Sequence, residues 1–232
     1  MGRPLAIAHR GDPHAHRENT LAAFAAATAS RADMLELDLR LTADGRVVVL
    51  HDRTLERLWG LPRAVAELTL AEVQDCGEGD VRVPSLEDVL DAEPGELMLD
   101  YVDDDVVAPA LAVLDGAGAL ERVVFAGENL RGHRCIRERE PDARIALTWT
   151  SREAVPDSLL DELAPEYLNP EWQLVTAELV ARMHERGTGV STWTVDEPET
   201  MARLLDLGVD AVITNRVELL VSLLDERAGA PC

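Results

Sequence analysis

Residues 198–214 have the sequence PETMARLLDLGVDAVIT, and this stretch contains the unit from which the chain is built. Its first part, Pro198–Leu207, predicts an amphipathic helix that begins with a proline and ends at Gly208. The apolar run Ala211–Thr214 then predicts a buried strand. A glycine between a helix and a strand is typical of the turns in α/β proteins.

Helix and strand alternate in the same way along most of the chain. Further helices are predicted after a cap at Asn19 or Thr20, after a cap at Ser85, over Ala108–Leu114 and over Thr176–Arg186. Nine short runs are strand candidates: Leu5–His9, Met34–Leu39, Val47–His51, Leu97–Val102, Val123–Ala126, Arg144–Trp149, Glu166–Asn169, Val190–Val195 and Ala211–Thr214. Regular alternation of this kind predicts a parallel sheet, either closed as a (β/α)8 barrel or open and doubly wound.

Two features favour the closed barrel. Charged residues end several separate strands, which is where barrel enzymes build their active sites. A glycine-rich phosphate loop of the kind found in many doubly wound proteins is absent from the sequence. We therefore predict one TIM-barrel domain over residues 1–232. Because such a barrel holds eight strands, one of the nine candidates has to lie outside it.

The composition limits the partners of the protein. There are 22 basic residues, all of them arginine, against 44 acidic residues, for a formal net charge of −22. Binding to a phosphate backbone needs a basic surface, so nucleic acid and anionic membranes are excluded as expected partners. A small anionic substrate would need a local positive centre, which a divalent metal ion can supply.

Cysteine usage and hydropathy predict a cytoplasmic protein without stable membrane association. The three cysteines, Cys76, Cys135 and Cys232, form no CxxC pair, so reduced thiols are the simplest interpretation. The sequence has neither the apolar core of a signal peptide nor a stretch of the roughly 18 apolar residues that a membrane span requires.

Four charged or titratable side chains interrupt or end predicted strands. His9 and His51 each end an apolar run, and Glu36 and Asp38 stand two residues apart within another. Residues i and i+2 of a strand share a face, so both carboxylates point the same way. Oxygen donors of this kind favour Mg²⁺ or Ca²⁺ over zinc. Two histidines and two carboxylates at strand ends predict a metal-assisted acid–base site.

The remaining four histidines are not expected to act in catalysis. His14 and His16 lie in the loop 11–17, where an ordinary loop position is more common than a metal ligand. His133 and His184 fall on predicted helical segments, where we expect them at the surface.

The charged residues belong to motifs that resemble those of the glycerophosphodiester phosphodiesterase family. The N-terminal motifs are His9-Arg10-Gly11, Glu18-Asn19-Thr20, Glu36-Leu37-Asp38, Thr42-Ala43-Asp44-Gly45 and His51-Asp52. The later ones are the helix start in residues 84–90, Trp193-Thr194-Val195-Asp196 and the stretch 208–215. The resemblance extends from about Leu5 to Asn215 with the motifs in the family's order.

This resemblance implies a TIM barrel that hydrolyses glycerophosphodiesters to glycerol 3-phosphate and an alcohol. By the same resemblance, Glu36, Asp38 and Asp100 would hold the divalent metal. His9 and His51 would be the acid–base pair, and we favour His9 as the base and His51 as the acid. Attack by water and attack by the substrate's own hydroxyl, which gives a cyclic phosphate, both stay open.

The resemblance also implies substrate contacts, and the chain departs from the family pattern at two places. Arg10 would hold phosphate oxygens, and Trp193 would line the glycerol pocket. Asp100-Tyr101-Val102 stands where the family has Glu-x-Lys, so Val102 replaces a lysine that faces the phosphate. Arg17 replaces a proline and could supply positive charge instead.

Two other functions are compatible with these residues. A phospholipase D-like activity on lysophospholipids would need exposed apolar loops, for which residues 58–62 are the only candidate. A non-catalytic phosphodiester-binding descendant would fit the missing lysine but not the retained histidines and carboxylates.

Overall fold

The computed structural model describes residues 2–229, which contain eleven strands and ten α-helices. The strands are β1 (Leu5–His9), β2 (Met34–Leu41), β3 (Val47–Val49), β4 (Thr54–Leu55), β5 (Leu61–Ala64), β6 (Glu96–Tyr101), β7 (Val123–Gly127), β8 (Arg144–Trp149), β9 (Tyr167–Pro170), β10 (Gly189–Thr192) and β11 (Ala211–Thr214). The helices are α1 (Leu21–Ala29), α2 (Glu56–Trp59), α3 (Leu70–Gln74), α4 (Leu86–Ala92), α5 (Val107–Ala117), α6 (Leu130–Arg139), α7 (Asp157–Leu163), α8 (Ala177–Glu185), α9 (Pro198–Leu207) and α10 (Val217–Gly229).

Eight parallel strands close into the predicted barrel. Strand β2 pairs with β6, and each strand from β6 to β11 pairs with the next along the chain. The last of them, β11, pairs with β1, and β1 pairs in turn with β2, so the ring has no free edge. The (β/α)8 prediction is confirmed, and the open doubly wound alternative is wrong.

The ninth strand candidate, Val47–His51, is not a barrel strand. Its ordered part is β3, which ends at Val49 and pairs antiparallel with β2. The two strands are joined by a short turn in which Gly45 adopts a φ of +75°. So short a connection can join only antiparallel neighbours, because a parallel pair needs a crossover of a dozen or more residues.

Strand β2 divides its side chains between two environments. Leu35, Leu37 and Leu39 are buried in the large apolar layer between the barrel and its helices. The residues that alternate with them, Glu36 and Asp38, therefore face the barrel interior. A smaller apolar cluster, which includes Ile7, Met34, Met98, Val124 and Ile213, fills the interior beside them.

The local signals for helix ends are found where they were predicted. Thr20, rather than Asn19, caps α1, because its hydroxyl accepts a hydrogen bond from the Ala23 amide at 3.2 Å. Ser85 caps α4 in a capping box with Asp88. Helix α9 and strand β11 have the predicted bounds. Within residues 2–229, no helix is long and apolar enough to cross a membrane.

Candidate active site

The strands that precede the two predicted histidines pair with the same edge of strand β2. One edge of β2, over residues 34–39, is paired with β6. Strands β1 and β3 therefore both pair with the opposite edge of β2. Strand β1 runs up this edge until His9 lies opposite Glu36. Strand β3 runs down it, and the Leu50 amide donates to the Asp38 carbonyl just before His51. His51, predicted at the C-terminus of a strand, is therefore brought to the site by a hairpin whose second strand ends two residues earlier and lies outside the barrel.

A cavity of about 390 Å³ opens where the carboxyl ends of the barrel strands meet. Its lining comprises His9, Arg10, Glu36, Asp38, His51, Met98, Asp100, Tyr101, Val102, Gly127, Glu128, Asn129, Thr148, Asn169, Trp193 and Ile213. The seven residues predicted to act in catalysis, metal binding or substrate binding all occur in this lining. The size is typical of a pocket for a small ligand.

His9 is held by a neutral partner. Its Nδ1 lies 2.8 Å from Oδ1 of Asn215, whose Nδ2 donates to the Asp196 carboxylate at 2.8 Å. Because a carboxylate only accepts, the amide oxygen of Asn215 has to face His9, and His9 Nδ1 is the donor. The Nε2 atom is then left as an acceptor. Burial, followed by the nearby Arg10 guanidinium, lowers the pKa of His9, which keeps the imidazole neutral.

His51 is held by a charged partner. Its Nδ1 lies 2.7 Å from Oδ1 of Asp52, and its side chain is 43% exposed. The hydrogen bonds from Arg57 lower the pKa of Asp52 to about 2 against the opposing effect of burial, so this carboxyl is ionised at neutral pH. The two histidines therefore differ in their partners, which are a neutral amide for His9 and a carboxylate for His51.

Three carboxylates lie close together on the cavity side of the barrel. Asp38 and Asp100 are direct neighbours on β2 and β6, and Glu36 precedes Asp38 on the same face. Burial and then the charges of Asp38 and Asp100 raise the pKa of Glu36 well above its usual value. Burial and then Asp38 raise the pKa of Asp100 to about 7. The protein thus leaves negative charge here incompletely compensated.

The three carboxylates are suitable ligands for a divalent cation, although they are not arranged as a complete coordination site. Across residues 2–229, no group of three carboxylate, imidazole or thiol side chains is placed to hold a metal ion. Asp38 already accepts a hydrogen bond from Asn19 Nδ2 at 2.7 Å and lies 3.1 Å from Arg10 Nε. A hard cation would remove the repulsion that raises the pKa values of Glu36 and Asp100.

Arg10 lines the cavity and has an unusual backbone conformation. Its φ is +61°, and its Nη1 donates to Glu18 at 2.9 Å. The Nε atom is buried and close to Asp38, but it makes no hydrogen bond with any described residue. The negative charge of Asp38 therefore compensates this buried donor without a hydrogen bond of normal geometry.

The positions that depart from the family pattern differ in their access to the cavity. Val102 directly follows β6, is 55% exposed and lies at the rim. Arg17 is not part of the lining, because its guanidinium stacks over Trp59 at 4.3 Å from the ring centre. Trp193 lines the cavity, and its indole donates to the Asn169 carbonyl at 3.1 Å.

The other histidines fall outside the cavity lining, and one prediction about them is wrong. His14 and His16 are exposed loop residues, and His184 is half-buried beside Asp210. His133 is fully buried and not at the surface. It bonds to the Tyr101 hydroxyl at 2.8 Å and to the Gly127 carbonyl at 2.9 Å, so helix α6 turns this side chain toward the barrel.

The stretch 58–62 does not form the exposed apolar loop that a lipid site would need. Leu58, Trp59 and Leu61 pack against a small apolar cluster beneath the hairpin. The large apolar side chains that are exposed within residues 2–229 are Val81 and Val102.

Several functional contacts were missed at the level of sequence. Asn215, Glu18 and Asn19 stand within the quoted motifs, which could have pointed to them, but no role in the site was predicted for any of the three. Arg57 and Glu128 gave no signal at all. Arg57 contacts Asp52 and Glu18, and Glu128 lines the cavity after β7.

The fold and this cavity together define the class of the chain, a (β/α)8 barrel with its cavity where barrel enzymes build their active sites. A family model described as the Glycerophosphoryl diester phosphodiesterase family matches residues 9–219. The chain belongs to this family.

Individual relatives agree with this assignment. A glycerophosphodiester phosphodiesterase of Caldanaerobacter subterraneus subsp. tengcongensis is 28% identical over 96% of this chain and 98% of its own length. A Mycobacterium tuberculosis protein named "Probable glycerophosphodiester phosphodiesterase 2" is 30% identical over 97% of this chain and 92% of its own. The fold matches that of an Oleispira antarctica phosphodiesterase whose structure contains the product sn-glycerol-3-phosphate, with a TM-score of 0.88. The two sequences are 21% identical, and the match covers 96% of this chain and 97% of the other.

Proposed function

We propose that this protein is a metal-dependent phosphodiesterase that hydrolyses glycerophosphodiesters to glycerol 3-phosphate and an alcohol. The observation that carries the proposal is the unequal pairing of two histidines on one cavity, His9 with the amide of Asn215 and His51 with the carboxylate of Asp52. The names of the relatives and the product bound to the Oleispira antarctica protein support the choice of substrate.

The two histidines would transfer protons at opposite ends of the reacting phosphodiester. Nε2 of neutral His9 accepts a proton from the attacking oxygen as that oxygen forms its bond to phosphorus. The imidazolium of His51 gives a proton to the alcohol oxygen as the second phosphorus–oxygen bond breaks. The pairing with Asp52 favours His51 as the acid, and burial favours His9 as the base.

The remaining cavity residues would bind and orient the substrate. Glu36, Asp38 and Asp100 would hold a divalent cation, Mg²⁺ or Ca²⁺, which supplies positive charge toward the phosphate oxygens. The guanidinium of Arg10, which lines the cavity, would bind a phosphate oxygen. Trp193 would form the wall against which the glycerol carbons pack.

The reaction is tested by product analysis and by variants of both histidines. The wild-type protein is incubated with glycerophosphodiesters that carry different alcohols, with Mg²⁺, Ca²⁺ or EDTA, and phosphorus NMR identifies the product. Glycerol 3-phosphate as the product, lost in EDTA, is expected. A cyclic phosphate would mean that the substrate's hydroxyl attacks instead of water. Full activity in excess chelator would contradict metal dependence.

Substrates with different leaving groups distinguish the histidine that acts as the acid from the one that acts as the base. His9→Ala and His51→Ala should each lose about 100-fold or more in kcat on an alkyl diester, the usual contribution of a general acid or base. With a p-nitrophenyl diester the leaving group needs no proton, so His51→Ala should recover most of its loss and His9→Ala should not. His14→Ala, an exposed histidine outside the cavity, serves as the control. Recovery by His9→Ala alone would reverse the two roles.

A cytoplasmic location is proposed on the state of the cysteines. Cys76 and Cys135 are free thiols, and Cys232 lies outside the described residues. Free thiols are typical of reducing compartments. Fractionation of cells with an antibody to the protein would test the location.

A further inference from the structure

One arginine outside the cavity joins the two segments that carry the catalytic histidines. Arg57 lies on the short helix α2 and is absent from the cavity lining. Its Nε donates to Oδ2 of Asp52 at 2.6 Å, and its Nη2 donates to Oδ1 of the same carboxylate at 3.1 Å. The guanidinium also donates to both oxygens of Glu18, at 2.7 and 3.2 Å.

Each of these carboxylates touches the active site on its other side. Asp52 accepts from His51 Nδ1, and Glu18 accepts from Arg10 Nη1 at 2.9 Å. The resulting chain runs from His51 through Asp52, Arg57 and Glu18 to Arg10. From Asp52 to Arg10 the charges alternate in sign, so each adjacent pair is attractive.

The two carboxylates of this chain are better shielded from solvent than the arginine that joins them. The side chains of Glu18 and Asp52 are 15% and 22% exposed, whereas that of Arg57 is 48% exposed. A guanidinium has a planar fork of donors, which allows it to bind two carboxylates in fixed orientations at once. Lysine, as a single point charge, lacks this geometry.

We propose that Arg57 is a positioning residue that fixes the orientation of His51 relative to Arg10 by clamping Asp52 and Glu18 together. It contacts neither of the histidines and therefore acts through the two carboxylates. Because His51 is delivered by the hairpin and Arg10 by β1, no backbone strand pairing directly joins these two segments. The Arg57 clamp supplies that connection through side chains.

The inference rests on the proposed function, since its test measures phosphodiester hydrolysis. The variants are Arg57→Gln, which removes the charge, and Arg57→Lys, which keeps it without the fork. Arg53→Gln is the matched control, because Arg53 is an arginine of the same segment that pairs with Asp103 and contacts neither Asp52 nor Glu18. Melting temperatures are recorded for all proteins to establish that they are folded.

We expect Arg57→Gln to lose about 10-fold to 100-fold in kcat with KM changed by less than about threefold, since misplaced catalytic groups affect the transition state more than ground-state binding. Arg57→Lys should recover part of this loss, and Arg53→Gln should behave like the wild type. In a double-mutant cycle, adding Arg57→Gln to Asp52→Asn should cost less than Arg57→Gln costs alone, because the coupled contact is already gone.

The outcomes separate the inference from the function on which it rests. An inactive wild-type protein would overturn the proposed function. An active wild type whose Arg57→Gln variant keeps its kcat within about twofold of Arg53→Gln would overturn only the positioning role. Equal losses in kcat for Arg57→Gln and Arg53→Gln would overturn it too, because they would reflect the general loss of a surface ion pair. If Arg57→Gln fails to fold, Arg57→Lys decides: wild-type kcat in this variant contradicts the need for the fork.

Discussion

His9 and Asn215 are 206 positions apart in the sequence, yet His9 Nδ1 and Asn215 Oδ1 are separated by only 2.8 Å. The contact spans the closure of the barrel, because β1 pairs with β11 and Asn215 directly follows β11. Closure of the ring therefore also fixes which nitrogen of His9 faces the cavity.

Replacing Asn215 by leucine should reduce turnover. Asn215→Leu has a similar volume but offers no acceptor to His9 Nδ1–H, so the tautomer with a free Nε2 is no longer selected. We expect a loss of about tenfold or more in kcat, within the range that a general base contributes. Thr214→Val is the control, because Thr214 also contacts Asp196 without touching His9. Equal rates for the two variants would mean that the amide does not orient the imidazole.

Metal binding should depend on the three carboxylates individually. Calorimetry of the wild type with Mg²⁺ or Ca²⁺ should give one site per chain, and Glu36→Gln, Asp38→Asn or Asp100→Asn should weaken it by tenfold or more. Glu87→Gln provides the charge-matched control, because Glu87 pairs with Arg46 on the surface. Wild-type affinity in Asp100→Asn would remove Asp100 from the ligand set and leave its alignment with the family's glutamate without support.

A lysine in place of Val102, at the rim of the cavity, should raise the catalytic efficiency. The family's lysine is missing here, and Arg17 does not replace it because it stacks on Trp59. Val102→Lys should therefore raise kcat/KM, since one preorganised contact to a phosphoryl oxygen is typically worth about 2.7–4 kcal/mol in the transition state. Val81→Lys adds the same charge at the other exposed valine, and Arg17→Ala should leave kcat/KM unchanged. An increase in Val81→Lys as large as that in Val102→Lys would indicate a general charge effect.

Protein stability should fall in acid partly because of His133. Burial lowers the pKa of His133 to about 4, whereas the unfolded side chain titrates near 6.5. Between these values the unfolded state binds a proton that the folded state does not, so the free energy of unfolding decreases as the pH falls from about 6.5 to 4. The difference amounts to about 3 kcal/mol, at 1.36 kcal/mol for each pH unit.

The variant His133→Gln isolates this effect. A glutamine amide can donate to the Gly127 carbonyl and accept from Tyr101, but it does not titrate. Urea unfolding at pH 7 and pH 4 should give a smaller decrease for the variant than for the wild type, by about 3 kcal/mol. The same decrease in both proteins would show that His133 contributes nothing to the acid sensitivity.

The parts of the site that could be predicted from sequence follow from local geometry. Glu36 and Asp38 were assigned to one face by the period of two along a strand, and the leucines between them were assigned to the other. The position of His9 in the site was predicted in the same way, from the end of the apolar run that forms β1. His51 was predicted to be in the site for the wrong reason, because a run of three valines does not reveal whether its partner strand runs parallel or antiparallel.

The contacts that escaped prediction are between residues distant in sequence. His133 has no local feature that sets it apart from the other polar residues of α6, and its burial depends on Tyr101, 32 positions earlier. Arg57 is one of 22 basic residues in a chain with 44 acidic ones, so its choice of Glu18 and Asp52 is decided by the fold alone.

The shared edge of β2 also bears on how the chain can be rearranged. Strands β1, β2 and β3 and the residues that directly follow them hold both histidines, Glu36 and Asp38 within residues 5–51, so these four cavity residues lie on one contiguous segment. A circular permutant opened between α6 and β8, at residues 140–143, would leave that segment whole. One opened in the turn 42–46 would cut the hairpin that holds the segment before His51 against β2, although the eight-stranded ring has all its strands in either case. In this enzyme, tolerance of new chain ends should therefore be set by the hairpin and not by the barrel.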